Sequence, residues 1–197
     1  GILLFLWQEK YLPFHYEYIE QFRLFHYSAD YFIEHCSYPS GIIEYLGSFL
    51  IQFFNQPHVG AGIVTILLLS VGIGIQRIFK RIASHVDMPL AYLLPTLFLL
   101  FAGMDINYHL EGTLAFALSV WFLNIQVSFV RPVHRMISGV LLSWALYYLA
   151  GPAFALFALC SVIYEWHKRE LSMLYSALLL PIAVLPACYA YFIQHSD

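Results

Sequence analysis

The chain has 197 residues, of which 61% are hydrophobic and only 11% are charged, with a formal net charge of −3. An ordinary soluble domain carries about twice that share of charged residues, so a water-soluble fold would expose a largely apolar surface. The sequence has no basic stretch that would bind nucleic acid, and its three cysteines lack the spacing of a disulfide framework or a zinc site.

The first apolar run, residues 1–7, is too short to cross a bilayer, because a crossing takes about 20 residues. It also lacks the basic leader and small-residue cleavage site of a signal peptide. We therefore interpret residues 1–14 as the end of a first transmembrane helix whose start precedes Gly1.

Residues 15–57 form a connection much longer than any other in the chain, and loops of that length usually have structure of their own. Apolar residues at helical spacing predict an aromatic-rich amphipathic helix over residues 16–35. After a break at Pro39-Ser40-Gly41, residues 41–54 predict a second helix. Both helices are expected to lie in the outer interface of the membrane. Phe22, Phe25, Ala29 and Phe32 would face protein or lipid.

Six apolar segments between residues 59 and 193 predict six further transmembrane helices. They are residues 59–76, 88–104, 111–130, 136–150, 152–166 and 171–193. The Gly151-Pro152 pair separates two short segments, which predict either two short crossings or a re-entrant hairpin.

Small and polar residues inside these segments predict contacts between helices. Gly60, Gly62, Gly72 and Gly74 indicate close packing, and Asn124 and Gln126 indicate hydrogen bonds between helices. No charge pair is expected inside the helices, which weakens the case for an ion-coupled transporter.

Basic residues fall in three alternate turns and predict the topology. These turns hold seven of the nine basic residues, Arg77, Lys80, Arg81, Arg131, Arg135, Lys168 and Arg169, whereas most acids lie on the other side. The positive-inside rule places the basic turns in the cytoplasm. The chain is thus predicted to be one all-α, polytopic membrane domain over residues 1–197, with about seven helices and a truncated first one.

Acidic and histidine residues are concentrated in the first outer loop. Glu17, Glu20, Asp30 and Glu34 lie there together with three histidines. His26, Asp30 and Glu34 follow each other at intervals of four, so one helix face could bind a divalent metal or supply a general base. The alternative interpretation is a solvated polar face opposite an aromatic face.

A second acidic group lies in the next outer turn, where Asp105, His109 and Glu111 are close in sequence. Asp105 and Glu111 are candidate metal ligands. The alternative is that they only solvate a helix end, since an acid in a first helical turn is favoured by the helix dipole.

The aromatic and glycine pattern of the first outer loop carries a family resemblance. The residues that carry it are Phe25-x4-Asp30-Tyr31-Phe32-x6-Pro39-x-Gly41-x3-Tyr45-Leu46-x2-Phe49-Leu50-x-Gln52-Phe53-Phe54-x2-Pro57-x2-Gly60. This pattern resembles an uncharacterised family of bacterial polytopic membrane proteins. The likeness extends to residues 108–112 and 150–151. It implies the bacterial cytoplasmic membrane as location and a C-terminal extracytoplasmic domain or partner protein.

The order of acidic sites also resembles, more weakly, the membrane module of C-type glycosyltransferases, which use lipid-linked sugars. Glu17 or Glu20 and Asp105 occupy comparable places. This resemblance implies that Glu17, Glu20, Asp30 or Asp105 would be catalytic, with a divalent metal at Asp105 and Glu111.

Three functions are therefore compared. A membrane anchor or scaffold with an extracytoplasmic loop needs only the helices and the aromatic loop, and it is the preferred prediction. The glycosyltransferase-like enzyme is the alternative, and a transporter has the least support because polar sites within the helices are scarce.

Overall fold

The structure, a computed structural model, describes residues 1–13, 16, 18, 25–82, 93–105 and 107–168. Within these residues all regular secondary structure is helical, which confirms the all-α prediction. The α-helices are α1 (Ile2–Tyr11), α2 (Ala29–Cys36), α3 (Gly41–Ile51), α4 (Pro57–Ile82), α5 (Leu93–Ala102), α6 (Leu110–Ser128), α7 (Pro132–Ala150) and α8 (Ala153–Lys168). A 3-10 turn, Gln52–Asn55, follows α3.

The predicted apolar segments correspond to helices α4 to α8. Helix α4 extends six residues beyond its predicted end at residue 76, into the basic turn that ends the segment. Helix α7 begins earlier than predicted because Pro132 occupies its first turn, where proline is tolerated. The segment 171–193 lies outside the described residues.

The predicted single helix over residues 16–35 is wrong. Residues 25–28 are not helical, and Ser28 has an extended backbone (φ −126°, ψ 149°). Its hydroxyl accepts a hydrogen bond from the Tyr31 amide (3.2 Å), so Ser28 caps a new helix that begins at Ala29. Phe25 is buried as expected, whereas Phe32 is 46% exposed.

Helix α6 lies at the centre of the bundle and packs against α3, α4, α7 and α8. It approaches α4 closely at Gly74, where an added Cβ would lie 2.6 Å from Cγ1 of Val120. Nδ2 of Asn124 donates to the Gly74 carbonyl (2.9 Å), which confirms the predicted hydrogen bond between helices. The predicted packing role of Gly74 is confirmed as well.

Two described helices are long and apolar enough to cross a membrane. They are α4 and α6, whose most apolar windows have mean hydropathies of 2.1 and 1.3. Helix α5 is also apolar but has only 10 residues.

Replacing Gly74 by Ala should separate α4 from α6. Val120 is β-branched and stiff, so it cannot easily turn away from the new methyl group. We expect Gly74→Ala to lower the free energy of unfolding by roughly 1–2 kcal/mol, the cost of overpacking less the better helix propensity of Ala. Thermal unfolding in detergent measures the change.

The matched control is Gly62→Ala in the same helix, where the nearest atom to an added Cβ is Cε2 of Phe5 at 4.0 Å. This variant should be as stable as the wild type or slightly more stable. Equal destabilisation by both substitutions would contradict the proposed contact.

Candidate functional site

Three separate segments meet at one end of the bundle, which we call the outer end: the α2–α3 connection, the N-terminus of α6 and the α7–α8 turn. The Ser40 amide donates to the Tyr148 carbonyl (3.0 Å), and the Tyr148 hydroxyl donates to the Cys36 carbonyl. Gly151 has a φ of +56°, and an added Cβ would lie 2.9 Å from Cβ of Ser40. Glycine is therefore required at the α7–α8 turn for both conformation and space.

A cleft of about 420 Å³ opens at the outer end between α3, α6 and the α7–α8 turn. Two carboxylates, Glu44 from α3 and Glu111 from α6, line it together with apolar side chains that include Phe116 and Leu156. The cleft thus combines acidic groups with an apolar wall, and we define these residues as the outer cleft.

Glu44 is held by two hydroxyl groups. The Ser40 hydroxyl donates to its Oε1 (2.7 Å) and the Tyr38 hydroxyl donates to its Oε2 (2.9 Å). Burial, with the hydrogen bond to Glu44 and its charge, raises the pKa of Tyr38 to about 12. Tyr38 therefore stays protonated and keeps donating to Glu44 at physiological pH.

Glu111 lies in the first turn of α6 and is 8% exposed. Gly47 of α3 leaves room for its side chain, because an added Cβ there would lie 2.6 Å from Cγ of Glu111. The structure thus directs Glu111 towards α3, an arrangement that helix-dipole stabilisation does not require.

The other predicted site residues lie elsewhere. Asp105 is exposed and accepts from the amide and the side chain of Asn107 (2.9 and 3.3 Å). Asp30 is exposed on α2, and His26 precedes that helix, so the proposed face of three residues does not form. Glu17 and Glu20 lie outside the described residues. Within the described ranges, no three His, Cys, Asp or Glu side chains come together as a group that could hold a metal ion.

The aromatic residues of the first outer loop pack on one another. The Phe25 ring contacts those of Tyr27, Tyr31, Tyr45 and Phe49 at centroid distances of 5.0, 5.5, 4.9 and 5.5 Å. This aromatic cluster joins α2 to α3 and gives the loop a small apolar core of its own.

At the opposite end, which we call the basic end, the prediction that the helices contain no charge pair is wrong. Arg135 of α7 and Glu165 of α8 form a forked ion pair with N–O distances of 2.7 and 3.3 Å. Their side chains are only 5% and 1% exposed. The Arg135 guanidinium also donates to the carbonyls of Phe129 and Val130, so it joins α7 and α8 to the end of α6.

Sequence reasoning assigned Arg135 to a loop and did not single out Glu165 or Glu44. Arg135 and Glu165 lie at similar distances along the chain on either side of Gly151, so a helical hairpin brings them to one level. Their similar distance from Gly151 was the sequence feature that could have predicted this ion pair. For Glu44, the sequence feature that could have predicted a role in a site was its place as a single acid in an apolar helix, four residues after Ser40.

The predicted polar contact of Gln126 is confirmed. Its Nε2 donates to the Ser161 hydroxyl of α8 (2.6 Å), next to the ion pair. A second buried amide, Gln8 of α1, accepts hydrogen bonds from Tyr16 (3.1 Å) and Thr65 (3.3 Å), which fasten α1 to α4. Polar groups therefore connect helices from within the bundle.

These features define an all-helical bundle with two helices of membrane-spanning length and an acidic cleft at one end. The chain belongs to a family of unknown function: residues 1–197 match the family described as "Family of unknown function (DUF6057)". This match confirms the resemblance to a family without an established activity. No curated protein and no solved structure matches the chain.

Removing one partner of the Arg135–Glu165 pair should strongly destabilise the bundle. Glu165→Leu leaves a buried guanidinium without its carboxylate, which costs roughly 3–5 kcal/mol. The double variant with Arg135→Met and Glu165→Leu should lose less than either single variant, because neither charge is then buried alone. Thermal unfolding of the three variants measures this coupling, and additive losses would contradict it.

Proposed function

We propose that this protein is a multi-pass anchor or scaffold in the bacterial cytoplasmic membrane, with its first outer loop held on the extracytoplasmic side. The observation that carries this proposal is an apolar outer surface combined with polar side chains that are buried between helices. Large apolar side chains point outwards from α4 to α8, whereas polar side chains lie inside the bundle.

Large apolar side chains are exposed on several helices. Among them are Ile66 and Ile73 of α4, Leu94, Phe98 and Phe101 of α5, Leu141 and Trp144 of α7, and Ile163 and Trp166 of α8, all between 47% and 72% exposed. An apolar surface of this kind is suited to lipid, whereas in water it would mark an aggregation-prone patch. The mean hydropathy of +0.71 for the whole chain agrees with this interpretation.

Charge distribution supports the orientation. Arg81 of α4 donates to the Asn124 carbonyl and the Ser128 hydroxyl near the C-terminus of α6, so the basic ends of α4 and α6 lie together. Arg135 joins them through the carbonyls of Phe129 and Val130. The outer cleft and the aromatic cluster lie at the opposite end. Under the positive-inside rule, the basic end is cytoplasmic.

The first outer loop is suited to lie at the membrane interface and to present a fixed surface. Phe32, Ile33, Leu46 and Phe53 expose apolar side chains on α2, α3 and the 3-10 turn. The hydrogen bond between Ser40 and Tyr148 holds this unit on the helix ends. An interfacial helix pair that is fixed in this way can carry a partner protein without catalysing a reaction.

Cysteine labelling in intact cells tests the orientation. We expect a membrane-impermeant thiol reagent to label Asp105→Cys, at the outer end, and to leave His134→Cys unlabelled until the cells are permeabilised. Both positions are exposed, and both substitutions are made in a background without Cys36, Cys160 and Cys188. Labelling of position 134 in intact cells, or recovery of the protein in the soluble fraction, would refute the proposal.

A second function is favoured by the outer cleft. Glu44 and Glu111 line a cavity with an apolar wall at the proposed membrane boundary, which is suited to a lipid-linked sugar and its acceptor. We propose the glycosyltransferase-like activity as the alternative, with one of these two carboxylates as the general base. Of the two metal ligands predicted from the sequence, Glu111 lines the cleft and Asp105 lies outside it, so this alternative rests on Glu44 and Glu111.

Isosteric substitution of the two cleft carboxylates distinguishes the glycosyltransferase-like function from the scaffold function. In an assay with a polyprenyl-phosphate-linked sugar donor, Glu44→Gln or Glu111→Gln should lower the transfer rate about 10²–10⁴-fold, the usual contribution of a general base. The matched control is Asp30→Asn, an exposed change outside the cleft, and it should keep full activity. Failure of the wild-type protein to transfer sugar from such donors would eliminate the enzyme and leave the scaffold.

A further inference from the structure

An apolar groove of about 280 Å³ runs along the bundle between α4, α6 and α8. Its α8 wall extends from Leu156 to Tyr164, a length of about 12 Å at 1.5 Å per residue. The rim is open, because Phe79 and Ile163 are 43% and 57% exposed. The Ser119 hydroxyl at its wall already donates to main-chain carbonyls, so the groove is suited to hydrocarbon.

Among the described residues, the positive charge near this groove lies at the basic end. Ile78 and Ile82 of α4 line the groove there. Arg81, in the same helical turn, donates to the Asn124 carbonyl and the Ser128 hydroxyl of α6, whereas Lys80 lies on the opposite face of α4. On α8, Lys168 follows Tyr164 by four residues and therefore lies one turn further along the same face. All three cationic side chains are exposed.

In the part of the chain that the structure describes, the acid next to this face in sequence does not oppose that charge. Glu165 follows Tyr164 directly, but Arg135 of α7 binds its carboxylate on another side of α8. Apolar walls and a cationic end match the two parts of an anionic phospholipid, its acyl chain and its phosphate headgroup.

We propose that the groove binds one acyl chain of an anionic phospholipid from the leaflet at the basic end, with the phosphate next to Arg81 and Lys168. This inference rests on the membrane location proposed above. It adds a lipid-binding site next to the outer cleft, with which the groove shares Phe116 and Leu156.

The test is lipid binding to the full chain in detergent, measured by native mass spectrometry. Phosphatidylglycerol and phosphatidylcholine with identical acyl chains are titrated separately. We expect one bound phosphatidylglycerol with a clear preference over phosphatidylcholine. Lys168→Gln should weaken phosphatidylglycerol binding about fivefold, the usual contribution of one basic residue near an anionic headgroup, and leave phosphatidylcholine unaffected.

Matched controls separate this site from general charge and lipid effects. Arg131→Gln removes the same charge at the basic end but lies where α7 begins, away from the groove, and should not change binding. Cys160→Phe fills the groove and should abolish binding of the single lipid, whereas Leu159→Phe, on an exposed face of α8, should not.

Equal binding of the two lipids, or an equal effect of Lys168→Gln and Arg131→Gln, would overturn the inference. Both changes affect exposed side chains, so the result does not depend on whether Cys160→Phe folds. If the protein is membrane-bound with the expected cysteine labelling but shows no lipid preference, only the lipid site fails. If it is not membrane-bound, the proposed location fails as well.

Discussion

The arrangement of the helices depends on polar side chains of α6 that are buried between helices. Asn124 bonds to the Gly74 carbonyl of α4, and Gln126 bonds to Ser161 of α8. A buried amide without partners costs roughly 1–3 kcal/mol, so each neighbouring helix is held at the height where its partner atom lies. In the membrane location that we propose, burial of apolar side chains would not drive helices together, so such bonds and the close approach at Gly74 would carry much of the specificity.

The outer cleft is a consequence of this arrangement. Its two carboxylates come from helices far apart in sequence, and they line one cavity only because α3 packs on α6. Ser40, at the start of α3, is held by the main chain of Tyr148, so the same contact that fastens the outer loop also sets the position of Glu44. A fixed outer surface is useful to a scaffold and to an enzyme, which is why the two proposals share one geometry and differ only in whether the acids react.

The two ends of the bundle are stabilised by different chemistry. Aromatic packing and hydroxyl–carboxylate bonds hold the outer end. At the basic end, the Arg135–Glu165 pair joins α7 to α8, and its remaining donors reach the end of α6. Burying an ion pair costs desolvation free energy that apolar packing does not. Any packing that separates the two charges is strongly disfavoured, however, so the pair makes one arrangement of the helices specific. The exposed Lys168 takes no part in that pair and is a headgroup contact in the lipid site that we propose.

Residue composition and periodicity were sufficient to predict helices α4, α6, α7 and α8, the break at Pro39-Ser40-Gly41, and the bonding roles of Asn124 and Gln126. These features depend on local spacing and on the cost of an unsatisfied amide, both of which can be read along the chain. The start of α2 at Ala29 is also a local feature, because the Ser28 hydroxyl caps that helix. The inward direction of Glu111, the contribution of Glu44 to its cleft, and the Arg135–Glu165 pair were decided only by tertiary structure. Each depends on which side chain an adjacent helix places opposite it, and residues that are remote in sequence carry no local pattern that records such a neighbour.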